Sequence, residues 1–259
     1  MSSNIVQILI YLKDRSKSIE QRAAEVAELL PSIGDTLNLR HNNIGAEGAK
    51  ALSTALPMMT SLVTLDLRLN IIGDEGTKAL STALPMTLVT LDLSFNNIGA
   101  VGAKALSTAL PMMISLVTLD LSWNSIGTVG AKALSTALPK MTSLVTLKFR
   151  NNSIGNDGVN ASCDALSHNF SLVSFDLYSS DSTVQVLIES YLERNRLIAV
   201  DRQLREERWV RRRHLLLMTK TLSGSLPLIA ADGSLIPVVT AMRTVILIQG
   251  IVRHVAAYL

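Results

Sequence analysis

Apolar positions along residues 37–174 alternate between two spacings. Leu62, Leu65 and Leu67 stand among Thr64, Asp66 and Arg68, and the two-residue alternation predicts a short strand with one buried face. Leu88, Leu91 and Leu93, then Leu116, Leu119 and Leu121, repeat that arrangement. Between such strands lies GAKALSTALP, where Ala49, Leu52 and Leu56 recur at spacings of three and four and predict a helix. Pro57, Pro85, Pro111 and Pro139 should end the helices, because proline has no N–H to continue the ladder.

The strand-plus-helix unit returns with a period of 28 residues, beginning at Leu37, Leu65, Leu91, Leu119 and Leu147. The copy at Leu65 is two residues short, and the missing residues fall after the helix, so the strands should stay in register. A fixed period implies a stack of small units, each burying the apolar face of its neighbour. Three residues past the last strand leucine stand Asn42, Asn70, Asn96, Asn124 and Asn152. A buried amide both donates and accepts, so these asparagines are expected to satisfy the turning backbone and to bond across coils. Ile44, Ile72, Ile98, Ile126 and Ile154 then return to the core, and Gly45, Gly73, Gly99, Gly127 and Gly155 supply a turn.

The pattern LxxLxLxxNxIGxxGAxxLxxALP resembles the ribonuclease-inhibitor-like class of leucine-rich repeats, found also in NOD-like receptors and Ran GTPase-activating proteins. The resemblance covers about residues 20–195 and implies an α/β solenoid, a partial horseshoe with a concave parallel sheet and convex helices. It also implies protein binding on the concave face. The expected organisation is an N-terminal helical cap or half-repeat over 1–36, repeats over 37–195, and a helical extension, basic then apolar, over 196–259. Glu20, Gln21, Arg22, Glu25 and Glu28 fit the exposed face of the capping helix, and Phe175-Asp176-Leu177 fits the last strand.

Charge changes the picture only at the C-terminal end. Residues 193–259 carry 11 basic and 5 acidic residues, whereas the rest carry 13 and 16. Six arginines between Arg202 and Arg213, with Trp209, could meet nucleic acid phosphate or an anionic membrane. Interleaved Asp201, Glu206 and Glu207 favour instead a helix packed on the last repeat. Val238–Leu259 reads as a final apolar helix, faintly resembling an F-box helix pair. Asp232 and Arg243 interrupt the only stretch that approaches the length of a membrane span, so no transmembrane span is expected. The single cysteine, Cys163, and an apolar N-terminal run of only Ile5–Leu12 suit an intracellular, cytoplasmic protein.

No catalytic, metal or cofactor site is expected. His41, His168, His214 and His254 lack metal-ligand spacing, and Gly73–Lys78 lacks the phosphate-loop spacing. Cys163 reads as a small buried thiol. The variable positions carry the information. Just after the strands run His41, Leu69, Phe95, Trp123, Asn151 and Ser179, and one residue earlier run Arg40, Arg68, Ser94, Ser122, Arg150 and Tyr178. Leu69, Phe95 and Trp123 flanked by Arg40, Arg68, Arg150 and Tyr178 fit a protein-binding hot spot, with core-edge packing of the two rings as the alternative. Asp66, Asp92, Asp120 and Asp176 read first as scaffold and second as an acidic strip for a basic partner, while Lys50, Lys78, Lys104 and Lys132 read as a solvated helix face. The expected function is a non-catalytic interaction scaffold for an unidentified protein. Two other readings remain: an adaptor whose C-terminal helix recruits other machinery, and a GTPase activator of the Ran-directed type.

Overall fold

The computed structural model describes residues 3–29 and 34–223, with the side chains of 211–223 left aside. The expected final helix and its F-box-like segment, with the interrupted apolar stretch near Asp232 and Arg243, lie outside the described residues. Two compact units divide at Val200 and Asp201.

The first unit opens with helices α1 (Ser3–Lys13) and α2 (Ile19–Leu29). Strands β1 (Thr36–Asn38), β2 (Thr64–Asp66), β3 (Thr90–Asp92), β4 (Thr118–Asp120), β5 (Thr146–Lys148) and β6 (Ser174–Phe175) then alternate with helices. The helices are α3 (Gly45–Ala55), α4 (Gly73–Ser81), α5 (Ala100–Ala109), α6 (Gly127–Ala137) and α7 (Gly155–Ser167), followed by α8 (Ser182–Ser223). The strands form one parallel sheet in sequential order. Thr64 pairs with Thr90 and Thr90 with Thr118, so the shortened copy leaves the register intact. Parallel strands stack about 4.8 Å apart whereas helices need about 8–10 Å, so the coil must curve with its strands inside. The strand side is therefore the concave side.

Helices α3, α5 and α6 end two residues before the proline expected to stop them, and α4 ends four before. In three copies the chain tightens into a 3₁₀ turn, Leu56–Met58, Leu110–Met112 and Leu138–Lys140, with proline inside it. Proline is tolerated there because the first N–H groups of a helical turn have no internal partner to lose. The shortened copy has no such turn after α4. The last strand is likewise shorter than expected, Ser174–Phe175 rather than a segment reaching Leu177. Arg22 contradicts its assignment to the exposed face of the cap: it is only 5% exposed. Its guanidinium donates to the carbonyl of Leu12 at 3.2 Å and so ties α2 to the end of α1.

Leucines and isoleucines from every coil form one continuous core. The asparagine ladder stitches it together. Asn124 Nδ2 donates to the carbonyls of Leu121 in its own coil and Leu93 in the preceding one, both at 3.0 Å. Its Oδ1 accepts from the backbone N–H groups of Asn96 and Ile98, both at 2.9 Å. Asn70, Asn96 and Asn152 repeat the donation to their own and the preceding coil. Asn42 has no earlier repeat to reach and donates only to Leu39 and Arg40 of its own coil. The cross-coil bonds thus join each asparagine side chain to the backbone of the preceding coil, in both directions, rather than linking the asparagine side chains to one another.

A Gly-Ala pair sets the helix spacing. A Cβ on Gly130 would sit 2.9 Å from Ala103 Cβ and 2.6 Å from Ile126 Cγ2, and one on Gly76 would meet Ala49 and Ile72 in the same way. The alanine of one coil therefore fills the space that the next coil's glycine leaves empty. At the far end Arg194 of α8 donates to the carbonyls of Ser167 (2.8 Å), Leu166 (3.1 Å) and Asn169 (2.6 Å), tying α8 to the end of α7 and the turn beyond it. In the second unit α8 continues from Asp201 to Ser223, with Asp201–Val210 exposed.

Two consequences can be measured by urea unfolding. Asn124→Ala strands two buried N–H donors and should cost about 3 kcal/mol or more, whereas half-exposed Asn42→Ala should cost clearly less. Gly130→Ala should destabilise by about 1–3 kcal/mol through overpacking, although alanine is the better helix former.

Candidate protein-binding face

The concave surface is built by the residues that follow each core leucine. Strand alternation puts Asp66, Asp92 and Asp120 on the face opposite Leu65, Leu91 and Leu119, and the register aligns the three carboxylates. Their first task is local. Asp66 Oδ1 accepts from the N–H of Arg68 at 3.1 Å, Asp120 from that of Ser122 at 3.0 Å, and Asp92 from both the N–H and hydroxyl of Ser94, at 2.8 and 2.6 Å. Each closes the turn that ends its strand. Asp176 departs from this pattern and accepts from the N–H of Phe149 in the preceding coil.

The next position does not continue the strand. His41, Leu69, Phe95, Trp123 and Asn151 all have positive φ, between 57° and 61°, so the ladder singled out in the sequence stands on a left-handed turn. L-residues with a Cβ enter that region at a cost of about 1–2 kcal/mol. Periodicity gives no sign of this, because a strand pattern and a strand followed by a left-handed residue place the core leucines alike.

Three of the expected residues come together. The Phe95 and Trp123 rings stack with centroids 5.1 Å apart and planes 11° apart. The guanidinium of Arg68 lies over Phe95 at 5.0 Å from its centroid. Trp123 forms the open end of this column, with 48% of its surface exposed. Stacking contributes about 0.5–1.5 kcal/mol and an exposed cation–π contact about 0.5–1 kcal/mol, enough to hold the column in one arrangement. Leu69 is half-buried beside it. The other candidates stay apart from the column: Arg40 is exposed, Arg150 Nε lies 3.9 Å from Asp176 Oδ2, and Tyr178 is 78% exposed. The Arg68–Phe95 contact was missed in the sequence, although its signal was there, since register puts residue 68 one coil before residue 95.

Charge is distributed unevenly along the face. Asp120 Oδ2 lies 3.3 Å from Lys148 Nζ. Burial pushes the Asp92 carboxyl up from its ordinary pKa; bonds from Ser94 oppose that rise, and the charges of Asp120 and Asp66 add to it. Burial likewise raises Asp176. Beside these groups the Ser122 hydroxyl is buried without a hydrogen-bond partner.

The rest of the surface offers less. A cavity of about 390 Å³ opens between α4 and α5 where the short copy lacks its 3₁₀ turn, lined by Leu84, Met86, Met112 and Met113 among others. Cys163 is buried, and burial raises its thiol above the ordinary value, as fits an inert packing residue. Lys78, Lys104 and Lys132 are exposed and Lys50 half-buried on the helix side. Arg202, Arg205 and Arg208 are exposed, and Arg205 pairs with Asp201 at 2.7 Å. Among the described residues there is no group of three metal-ligating side chains, and no helix is long and apolar enough to cross a membrane.

Residues 36–53, 59–81, 85–107, 113–135 and 140–161 match the family described as Leucine Rich repeat. No curated protein matches the chain. Among solved structures, a leiomodin-1 segment titled Actin-Binding Site 2 aligns with a TM-score of 0.54 at 18% identity, covering 75% of this chain and 99% of its own. The tropomodulin C-terminal domain of Caenorhabditis elegans aligns with a TM-score of 0.48 at 16% identity, covering 73% of this chain and 99% of its own. The matched repeats lie on successive coils of one parallel sheet, so the fold is an α/β leucine-rich-repeat solenoid with a helical C-terminal part.

Proposed function

We propose that this protein is a non-catalytic interaction scaffold that holds a protein partner on its concave face, over the Arg68–Phe95–Trp123 column. The observation that carries the reading is the column itself, an ordered and partly exposed aromatic stack on an otherwise repetitive surface. Rigid aromatic and arginine side chains give large contact area with little entropy left to lose, which is why they dominate interface energetics. The leiomodin-1 segment, titled for actin binding, is a case of a related fold engaging a protein, and it supports a protein partner without selecting one. The 28-residue period and the NxIGxxG turn support the ribonuclease-inhibitor-like class, and a lone buried cysteine supports a reducing, intracellular setting.

Affinity capture with the full chain and with a Phe95→Ala/Trp123→Ala variant tests the reading. Loss of two hot-spot side chains should weaken the complex at least about thirtyfold, by roughly 2 kcal/mol or more, with the far-UV circular dichroism unchanged. A folded double variant that binds its partner undiminished would remove the column from the interface.

A further inference from the structure

We infer that the middle of the concave face receives one cationic side chain, a lysine or arginine of the protein partner, at Asp92 beside the Phe95–Trp123 stack. The inference rests on the protein-binding reading of that face and adds the chemistry of what binds there.

Counter-charges around the aligned carboxylates show where a cation is missing. Of the three copies whose strand ends in aspartate, only the Asp66 copy has a cation two residues later, Arg68; Arg40 and Arg150 stand at that position beyond Asn38 and Lys148. Serines replace it at Ser94 and Ser122, and only one of the two sites is compensated from elsewhere, by Lys148 at Asp120. Asp92 takes part in no ion pair among the described residues. It lies between two further carboxylates on strands about 4.8 Å away, partly withdrawn from water. A half-desolvated carboxylate with like charges on both sides gains more from an incoming cation than a solvated one does.

The Ser122 hydroxyl is an independent sign. It stands two residues beyond Asp120, just past β4, its residue is 3% exposed, and its oxygen is buried without a partner. Ser94, one coil earlier, satisfies its own hydroxyl on Asp92. Buried polar atoms are rarely left orphaned, and this one adjoins the surface where the partner would add a donor.

The aromatic column fits the same ligand. It already carries a guanidinium at its Phe95 end, and the exposed Trp123 ring offers a second face of the kind that attracts ammonium and guanidinium groups. Arg68, Lys148 and Arg150 border the site, so it suits a single cation better than a polybasic tract.

The test uses the full chain with Trp209→Phe, so that Trp123 is the remaining tryptophan, and a pentapeptide Gly-Gly-Lys-Gly-Gly blocked at both ends. The lysine peptide should produce a saturable change in Trp123 fluorescence, and its Nε-acetylated counterpart should bind at least tenfold more weakly. Asp92→Asn should weaken the lysine peptide about tenfold. Ser94→Arg, which places the arginine of other copies beside Asp92, should compete with it to a similar degree. Binding should also fall as acid protonates Asp92, beginning above the usual carboxylate range because burial raises that group. Absence of saturable binding, equal binding of the acetylated peptide, or indifference to both Asp92→Asn and Ser94→Arg would overturn the cation assignment. The wider reading fails separately: the Phe95→Ala/Trp123→Ala variant would then retain its partner, whereas loss there with no effect of Asp92→Asn sinks only the cation.

Discussion

A parallel coil must turn back on itself once per strand, and every such turn leaves backbone groups in the interior that neither strand nor helix can satisfy. The asparagine ladder resolves this. One amide donates to two coils and accepts from the earlier of them, so the turn of each coil is completed by a side chain from the next. No coil is fully hydrogen-bonded alone. That dependence fixes the spacing of successive turns, and through them the spacing of every residue displayed on the concave face. It also explains why the two-residue deletion is tolerated after α4, where the chain is outside the ladder, and why Asn42 at the start of the array is half-exposed with fewer partners.

Legibility in the sequence follows the same division. Strand order, register and the buried leucines were readable because each is repeated, and repetition averages out the accidents of any one copy. Arg22 was misread because polarity was taken for exposure: its guanidinium is buried but hydrogen-bonded to a helix-end carbonyl, which a hydrophobic pattern cannot register. The Gly-Ala pair was visible as letters, yet its meaning, an alanine of one coil in the gap of the next, needs the stacking geometry. The variable face was legible as a set of positions. Its stacking, its left-handed backbone and the absence of a cation at Asp92 were not, since each depends on which side chains from neighbouring coils meet.

The left-handed turn gives a physical reason to read those positions as selected for what they display. Glycine would occupy the turn at the least cost, and the chain places glycine at positive φ one segment later, at Gly45, Gly73, Gly127 and Gly155. At the ladder position it keeps a side chain in every copy from His41 to Asn151, and in three consecutive copies a large apolar one. Packing does not demand it, because Trp123 remains about half exposed while the core beneath it is closed by Leu121. Glycine would remove the backbone cost but also the Phe95–Trp123 stacking, which offsets part of it.

The same reasoning separates the two kinds of polar residue on this face. An aspartate that only closes its own turn could be replaced by asparagine, as Asn38 shows by accepting from the Arg40 N–H at 3.2 Å in the first copy. Three in-register carboxylates add mutual repulsion to a job that a neutral amide performs, and burial of Asp92 makes that repulsion costlier still. The folded-state pKa of Asp92 lies above its unfolded value, so this group opposes folding near neutrality and ceases to do so as pH falls through the raised value. A partner's cation at that position would reverse the sign of its contribution.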